Sequence, residues 1–148
     1  MRTDKIKFEP VGIIHSPYKR MKDIPCQGYR SKKIGKIEVY KKYEEGLKDV
    51  EGFSHLIILY LFHKAKTFSL KAKPFLDDKP KGIFAIRSPY RPNHIGISVV
   101  KLLERKGNIL KVGEIDVLDG TPLLDIKPYV PKFDIRENVR FGWLEGKL

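Results

Sequence analysis

Six side chains able to bind a ligand or carry a proton fall within one short stretch, residues 87–94. They are Arg87, Ser88, Tyr90, Arg91, Asn93 and His94. Pro89 and Pro92 remove two backbone donors and fix φ, so this stretch forms neither a helix nor a strand ladder. β-forming residues at 83–86 and 97–102 predict a strand on each side. A stiff loop loses little further entropy on binding, so we place the functional centre here.

A second candidate group is acidic and surrounds a predicted turn at residues 119–122. Its three carboxylates are Asp116, Asp119 and Asp125. Asp before Gly is common in tight turns, so one carboxylate is expected to serve the turn alone. A partly buried carboxylate on a strand needs a partner, and Arg87 or Arg91 is the obvious candidate. We therefore expect the basic loop to pair with the acidic turn.

Several enzyme classes are excluded by motifs that the sequence lacks. No Gly-x-Gly occurs, which excludes the dinucleotide fingerprint and the glycine-rich loop of doubly wound methyltransferases. No Gly-Lys-Ser or Gly-Lys-Thr occurs, so a nucleoside triphosphate loop is absent. The four histidines lack metal-ligand spacing, and we predict no metal site. A single cysteine and the lack of a signal-like or membrane-length apolar segment indicate a cytoplasmic protein.

Length and charge narrow the class of partner. A chain of 148 residues predicts one domain, residues 1–148. Its formal net charge of +12 favours a nucleic acid, although acidic metabolites or a solvated lysine-rich surface fit the same charge. The long loop 17–33 either contacts phosphate or is a mobile solvated loop. Its basic residues include Lys19, Arg20, Arg30, Lys32 and Lys33.

Hydrophobic patterning predicts a mainly β fold, a small and mostly antiparallel β-barrel or sandwich with little helix. Residues 53–63 are apolar on both faces and predict a central strand. A hairpin is predicted at residues 106–108, with glycine and asparagine both supplying positive φ. Pro128 and Pro131 are expected to end regular structure. Other strands are predicted at 5–15, 34–40, 97–104, 109–118, 123–127 and 139–144, and helical turns at 42–50.

Five segments together resemble the TsaA-like (TrmO or YaeB) family. The pairing of Arg-Ser-Pro-x-Arg-Pro-Asn with Asp-Gly-Thr-Pro is the most specific part of the resemblance, which covers nearly the whole chain. The segments are residues 11–17, 52–56, 82–93, 95–98 and 119–129.

This resemblance implies a small β-barrel that binds S-adenosyl-L-methionine near a homodimer interface and methylates tRNA. The implied product is N6-methylated threonylcarbamoyladenosine beside the anticodon. Many family members carry arginine where this chain has Cys26, and many continue into a further C-terminal domain, so RNA selection is expected to differ. The cofactor contacts that the resemblance assigns are Cys26, Gln27, Gly28, His63, Lys64, Arg87, Ile97, Asp116, Val117, Leu118 and Asp119.

Methyl transfer from a sulfonium requires alignment and removal of a proton, with no covalent residue. Asp116, Asp119 and His63 are all candidates for the base. Two other functions remain open: methylation of a different nucleophile, and a cofactor-free β-barrel that binds RNA. The acidic turn opposes the last, because carboxylates repel phosphate.

A dimer is also predicted from apolar surface, since the two-faced strand and the aromatic C-terminus exceed what one small barrel can cover. The alternative is that Trp143 closes the barrel of a single chain.

Overall fold

The computed structural model describes residues 4–25 and 31–148, which form a closed antiparallel barrel. Six strands close the barrel in the order β1-β2-β7-β6-β3-β8, with β8 pairing back onto β1, while β4 and β5 form a separate ribbon. The predicted fold class is confirmed. The strands are β1 Gly12–His15, β2 Gly35–Val39, β3 His55–Leu61, β4 Lys71–Ala72, β5 Lys81–Gly82, β6 Ile95–Lys106, β7 Ile109–Gly113 and β8 Thr121–Pro128.

Helical structure is confined to short segments within the described ranges. The longest is a 3-10 helix at Lys41–Leu47, where helical turns were predicted, and the only α-helix described, α1, spans Pro131–Asp134. Pro131 therefore begins a helix instead of ending regular structure, as suits a proline in the first helical turn. The other 3-10 helices are Met21–Asp23, Val50–Gly52, Ile83–Ala85 and Gly142–Leu144.

Alternation along the strands builds the core. In β3, Leu56, Ile58 and Tyr60 point inward and are buried, while the residues between them are half-buried on the outside. This period of two is the side-chain repeat of a strand. The central strand predicted at 53–63 is confirmed, and it pairs with β6 on one side and β8 on the other.

The hairpin between β6 and β7 is confirmed, but its asparagine has another role. The loop has two residues between paired Lys106 and Ile109, and Gly107 supplies the positive φ of 59°. Asn108 is not among the described residues with positive φ. Its Nδ2 donates to the carbonyl of Val39 at 2.8 Å, and its own carbonyl accepts from Val39 N at 2.9 Å. Asn108 thus ties the hairpin to β2.

Four predicted strands are wrong in whole or in part, and one of them, 109–118, ends at Gly113 in β7. Residues 83–86 form the 3-10 turn Ile83–Ala85, because Ile83 and Ile86 are both buried and a spacing of three fits a helical turn. Residues 139–144 likewise contain the 3-10 turn Gly142–Leu144. The first strand begins at Gly12 and not at residue 5, since residues 4–10 are exposed.

The turn at residues 119–122 was predicted to lie between strands at 109–118 and 123–127. In the structure, the strands on its two sides do not pair with each other. β7 ends at Gly113, and Glu114 adopts a positive φ of 57° that leads the chain away from the β7 ladder. Gly120 turns the chain with φ 83°, and β8 then pairs with β1 and β3. Residues 114–120 therefore form a crossing segment at one end of the barrel.

Within the described ranges, no helix combines the length and the apolar character needed to cross a membrane.

Close packing at Gly12 gives the first prediction. A Cβ there would overlap the carbonyl oxygen of Glu38 on the paired strand β2, and backbone cannot move aside cheaply. We expect Gly12→Ala to lower the free energy of unfolding by about 1–3 kcal/mol, the usual cost of overpacking. Urea unfolding followed by circular dichroism would measure it. Gly52→Ala is the control, because no atom lies within 4 Å of the added Cβ. Equal stability of the two variants would contradict the close β1–β2 packing.

Candidate active site

A pocket opens at one end of the barrel, where β3 ends and the crossing segment 114–120 passes. Five of the predicted site residues line it: His63, Lys64, Asp116, Val117 and Leu118. Most of the remaining lining is apolar. The other lining residues are Met21, Ile24, Tyr60, Phe62, Ala65, Pro89 and Thr121.

Gly96 makes room for the aromatic wall of this pocket. Tyr60 and Phe62 meet edge to face with ring centroids 5.4 Å apart, and a Cβ on Gly96 would overlap both rings. Gly96 lies opposite Tyr60 in the β3–β6 ladder. The glycine of the Ile95-Gly96-Ile97-Ser98 segment is therefore needed for space.

A hydrogen-bonded chain leads from the barrel interior to the pocket. The hydroxyl of Tyr60 lies 2.9 Å from Ser98 Oγ, and Ser98 Oγ donates to Asp116 Oδ1 at 2.6 Å. Since the Ser98 proton is committed to the carboxylate, the phenol donates to Ser98. Tyr60 and Ser98 are buried and Asp116 is half-buried. The chain fixes the Asp116 carboxylate at the pocket wall.

Burial has the largest effect on the pKa values of the two titratable groups in this hydrogen-bonded chain, Asp116 and Tyr60. Desolvation raises the pKa of Asp116, and the Ser98 hydrogen bond only partly offsets it. Desolvation also raises the pKa of Tyr60, with the negative charge of Asp116 adding to the effect. The positive charge of Arg87 acts in the opposite direction on Tyr60, which places that guanidinium near the pocket.

Asp119 has a structural role. Its Oδ1 accepts from Ser16 N at 2.9 Å, and its Oδ2 pairs with Lys19 Nζ at 2.8 Å. The Lys19 hydrogen bond, followed by the Ser16 bond, lowers the pKa of Asp119. Ser16 Oγ also donates to the carbonyl of Val117 at 2.5 Å. Asp119 therefore locks the crossing segment onto the corner after β1 and does not line the pocket.

The two arginines of the central loop have different roles. Arg91 Nη1 donates to the carbonyls of Ile86 at 2.8 Å and Ser88 at 3.2 Å, so this guanidinium holds the loop together. His94 Nδ1 donates to the carbonyl of Pro89 at 2.9 Å and braces the same loop. Arg87 is exposed and forms no ion pair with any described residue. It is the arginine free to bind a ligand.

The predicted pairing between the basic loop and the acidic turn is wrong. Asp116 is held by Ser98, and Asp125 pairs with Lys127 at 3.1 Å. Neither is paired with Arg87 or Arg91, because Ser98 of β6 engages Asp116, and Lys127, two residues along the same strand β8, engages Asp125.

His63 lies in the pocket wall as a largely neutral imidazole. Desolvation, and then the charge of Lys64, lowers the pKa of His63, while a hydrogen bond with the backbone of Leu61 opposes the shift. A neutral imidazole has one ring nitrogen without a proton, and that nitrogen can accept one.

Ile97, another predicted site residue, does not line the pocket. Ile97 is exposed on the outer face of β6, because its neighbours Gly96 and Ser98 point inward. Cys26, Gln27 and Gly28 lie outside the described residues.

Sequence reasoning missed Tyr60 and Ser98. The sequence pattern could have identified them. Both are polar residues at inward-facing positions of strands whose other inward-facing residues are apolar.

The chain matches the family model of the tRNA-methyltransferase O N-terminal domain over residues 13–135. A probable S-adenosyl-L-methionine-binding protein of Pyrococcus abyssi is 59% identical over 144 residues, covering 97% of this chain and 78% of that protein. The tRNA (adenine(37)-N6)-methyltransferase of Escherichia coli is 39% identical over 136 residues, covering 84% of this chain and 58% of that enzyme.

A solved structure agrees with these sequence matches. The crystal structure of TrmO from Pseudomonas aeruginosa superposes with a TM-score of 0.81 at 37% identity, covering 95% of this chain and 63% of that one. The chain therefore spans less than two thirds of both TrmO enzymes. The match over residues 13–135 and the shared barrel show that the chain belongs to the family of the tRNA-methyltransferase O N-terminal domain.

Proposed function

We propose that the chain uses S-adenosyl-L-methionine to methylate the N6 nitrogen of an adenine in tRNA. The observation that carries this proposal is the Asp116 carboxylate, held by Ser98 in the wall of a mostly apolar pocket. Relatives named for this reaction in Escherichia coli and Homo sapiens are 39% and 36% identical to the chain. The substrate base that we propose is threonylcarbamoyladenosine beside the anticodon.

The pocket fits an adenosyl group with a charged amino-acid tail. Its apolar side chains, such as Phe62 and Leu118, suit the faces of an adenine ring. The Asp116 carboxylate can accept from ribose hydroxyls or pair with the ammonium. The unpaired Arg87 guanidinium can grip a carboxylate through two parallel hydrogen bonds. When bound, S-adenosyl-L-methionine supplies a methyl group on an activated sulfonium. We propose His63, Lys64, Arg87, Asp116, Val117 and Leu118 as its contacts.

Three other predicted contacts, Cys26, Gln27 and Gly28, stay predictions for the loop after Pro25. Asp119 supports the pocket through Ser16 and Lys19, and we do not propose it as a contact.

We propose different roles for the three candidate bases. Asp119 is a poor proton acceptor, because Lys19 and Ser16 bind its two oxygens and stabilise its charge. Burial lowers the pKa of His63, which favours the neutral imidazole that can accept a proton. We propose that His63 accepts the proton of the target nitrogen, while Asp116 binds and orients.

We propose that two copies associate through the outer face of β3 and β6, here called the apolar outer face. It consists of Ile57, Leu59, Leu61, Ile95, Ile97 and Val99. The outer positions of β2 are instead polar, Lys36 and Glu38, and His15 of β1 lies beside them. Trp143 donates to Ala85 O of its own chain at 2.7 Å, so it does not add to this face.

Ile97 then belongs to the dimer contact, which accounts for its distance from the pocket of its own chain. We further propose that one domain, residues 1–148, carries the activity and acts in the cytoplasm, where tRNA functions.

A methylation assay tests the proposed function. The purified chain, incubated with S-adenosyl-L-methionine and unmethylated tRNA carrying threonylcarbamoyladenosine, is expected to yield the N6-methylated nucleoside by mass spectrometry. We expect Asp116→Asn to abolish or sharply reduce the product. The same variant should be more stable than wild type at pH 7, because burial raises the pKa of Asp116 and its ionised form costs stability.

The stability difference should disappear as the pH falls through the raised pKa of Asp116 and below the ordinary pKa of an aspartate. There the wild-type aspartic acid is neutral, as the asparagine of the variant is at every pH. An amide oxygen can still accept the Ser98 hydrogen bond, so the variant is expected to fold. Thermal unfolding between pH 3 and about pH 7, a range that covers the titration of carboxylates, would measure this difference in stability as a function of pH. Wild-type protein that binds the cofactor and methylates no tRNA would overturn the substrate assignment.

Calorimetry tests the cofactor site. We expect S-adenosyl-L-methionine to bind the wild-type chain, and Arg87→Ala to weaken binding by about 1.5–3 kcal/mol, the range for a hydrogen bond to a charged group. Arg136→Ala is the matched control, since Arg136 is exposed and lies just after α1, beyond the end of β3 that is remote from the pocket. A folded Arg87→Ala protein with unchanged affinity would remove Arg87 from the site.

Sedimentation tests the dimer. Ile97→Lys places a charge in the apolar outer face and should convert a micromolar dimer into monomer. Lys111→Glu, on the polar outer face of β7, should leave the dimer intact. A wild-type chain that sediments as a monomer with cofactor present and still methylates tRNA would show that association is not part of the mechanism.

A further inference from the structure

Residues 64–91 form an exposed surface that is both aromatic and basic, here called the aromatic platform. We propose that the aromatic platform binds single-stranded RNA, stacking unpaired bases on its rings and holding phosphates with its lysines. This inference rests on the proposed function and deepens it, because it says how the RNA loop around the target base is held.

Backbone hydrogen bonds bring the parts of the platform together. The β4–β5 ribbon pairs Lys71 with Gly82, and Ile83 N donates to the carbonyl of Leu70 at 2.9 Å. Ser69 N donates to the carbonyl of Tyr90 at 3.3 Å. Residues 68–70 therefore lie between the turn that carries Phe84 and the loop that carries Tyr90.

Four aromatic side chains of this segment face solvent. Phe84 is 79% exposed and Phe75 81% exposed, while Phe68 and Tyr90 are also exposed. Such a concentration of uncovered rings on one short segment marks an interaction site.

Phe84 is presented outward by a well-anchored turn. Ile83 and Ile86 on either side of it are buried, and Trp143 Nε1 holds the carbonyl of Ala85 at 2.7 Å. Lys81 lies 5.9 Å from the ring centroid of Trp143. A ring fixed in this way loses little entropy when a base stacks on it.

The positive charge of the aromatic platform favours an anionic ligand. None of the exposed cations of the platform forms an ion pair with a described residue, and Asp78 is the only exposed acid among residues 64–91. The other acid, Asp77, is shielded and pairs with Lys81 at 3.3 Å and Lys147 at 3.8 Å. The exposed cations are Lys64, Lys66, Lys71, Lys73, Lys79 and Arg87.

Rings combined with cations suit single-stranded nucleic acid, whose bases stack and whose phosphates are anionic. A symmetric contact with a second copy would instead bring like charges together.

The platform begins at the pocket. Pro89 lines the pocket and precedes Tyr90, and Arg87 lies close enough to Tyr60 to influence its pKa. An enzyme that acts on a base must take that base out of its stack, which frees its neighbours to stack elsewhere. The aromatic platform is placed to receive those neighbours.

The first long loop, for which phosphate contact was one of two predictions, is less available. Lys19 pairs with Asp119, and Arg20 pairs with Asp23 at 3.0 Å. Its exposed lysines without an ion pair among the described residues are Lys22, Lys32 and Lys33.

Fluorescence anisotropy with a labelled RNA hairpin that has an unpaired loop tests the proposal. Phe84→Ala should weaken binding roughly 5- to 100-fold, the effect of losing one stacked base, and Phe84→Tyr should retain it. Phe133→Ala is the matched control, because Phe133 is 70% exposed on α1, beyond the other end of β3.

Replacing Lys66, Lys71 and Lys73 with Ala should flatten the plot of log affinity against log salt by about 0.7 for each lost phosphate contact. Replacing Lys32 and Lys33 should change the slope less.

Three results would overturn the platform. They are unchanged affinity in a folded Phe84→Ala protein, equal losses for the hairpin and for a fully paired duplex, and dissociation of a dimer without loss of RNA affinity. The last would assign Phe84 to a subunit contact. Failure of the platform leaves wild-type methylation and cofactor binding intact, whereas failure of the proposed function leaves wild-type protein that binds the hairpin without methylating tRNA.

Discussion

The hydrogen bond from Ser98 to Asp116 joins the barrel to its pocket, and the arrangement of the site depends on it. Ser98 points inward because it follows the alternation of β6, and Tyr60 meets it from the paired strand β3. The Asp116 carboxylate belongs to the crossing segment 114–120, which is not part of a strand. Without Ser98, a half-buried charge would stand against apolar side chains, at a substantial cost in free energy.

In the proposed function, this arrangement exchanges stability for ligand binding. The fold raises the pKa of Asp116 by burying it, so keeping the carboxylate ionised at neutral pH costs stability. Asp119, three residues later, shows the opposite effect, since Lys19 and Ser16 stabilise its charge and lower its pKa. One short crossing segment thus contains a carboxylate that anchors the structure and another that remains available to a ligand.

The inward and outward side chains of β3 and β6 alternate, and the two sets have different roles. Inward positions of β3 and β6 build the core and the pocket wall, whereas their outward positions are apolar and form the apolar outer face. The segment 64–91 joins the end of β3 to the central loop and carries exposed rings and cations. Cofactor, second copy and RNA are thereby proposed to meet three neighbouring parts of one chain.

The sequence by itself determined the mainly β class, the central strand, the β6–β7 hairpin and the lack of helix or strand at residues 87–94, because period-two patterns, glycine and proline act locally. It could not show that Arg91 binds loop carbonyls while Arg87 stays free, or that Asp116 and Asp119 differ in role. It also predicted a strand where Ile83 and Ile86 are buried on one helical turn. Only the tertiary structure decided these, because hydrogen-bond partners such as Ser98, Ser16 and Lys19 are distant in sequence and meet only when the barrel closes.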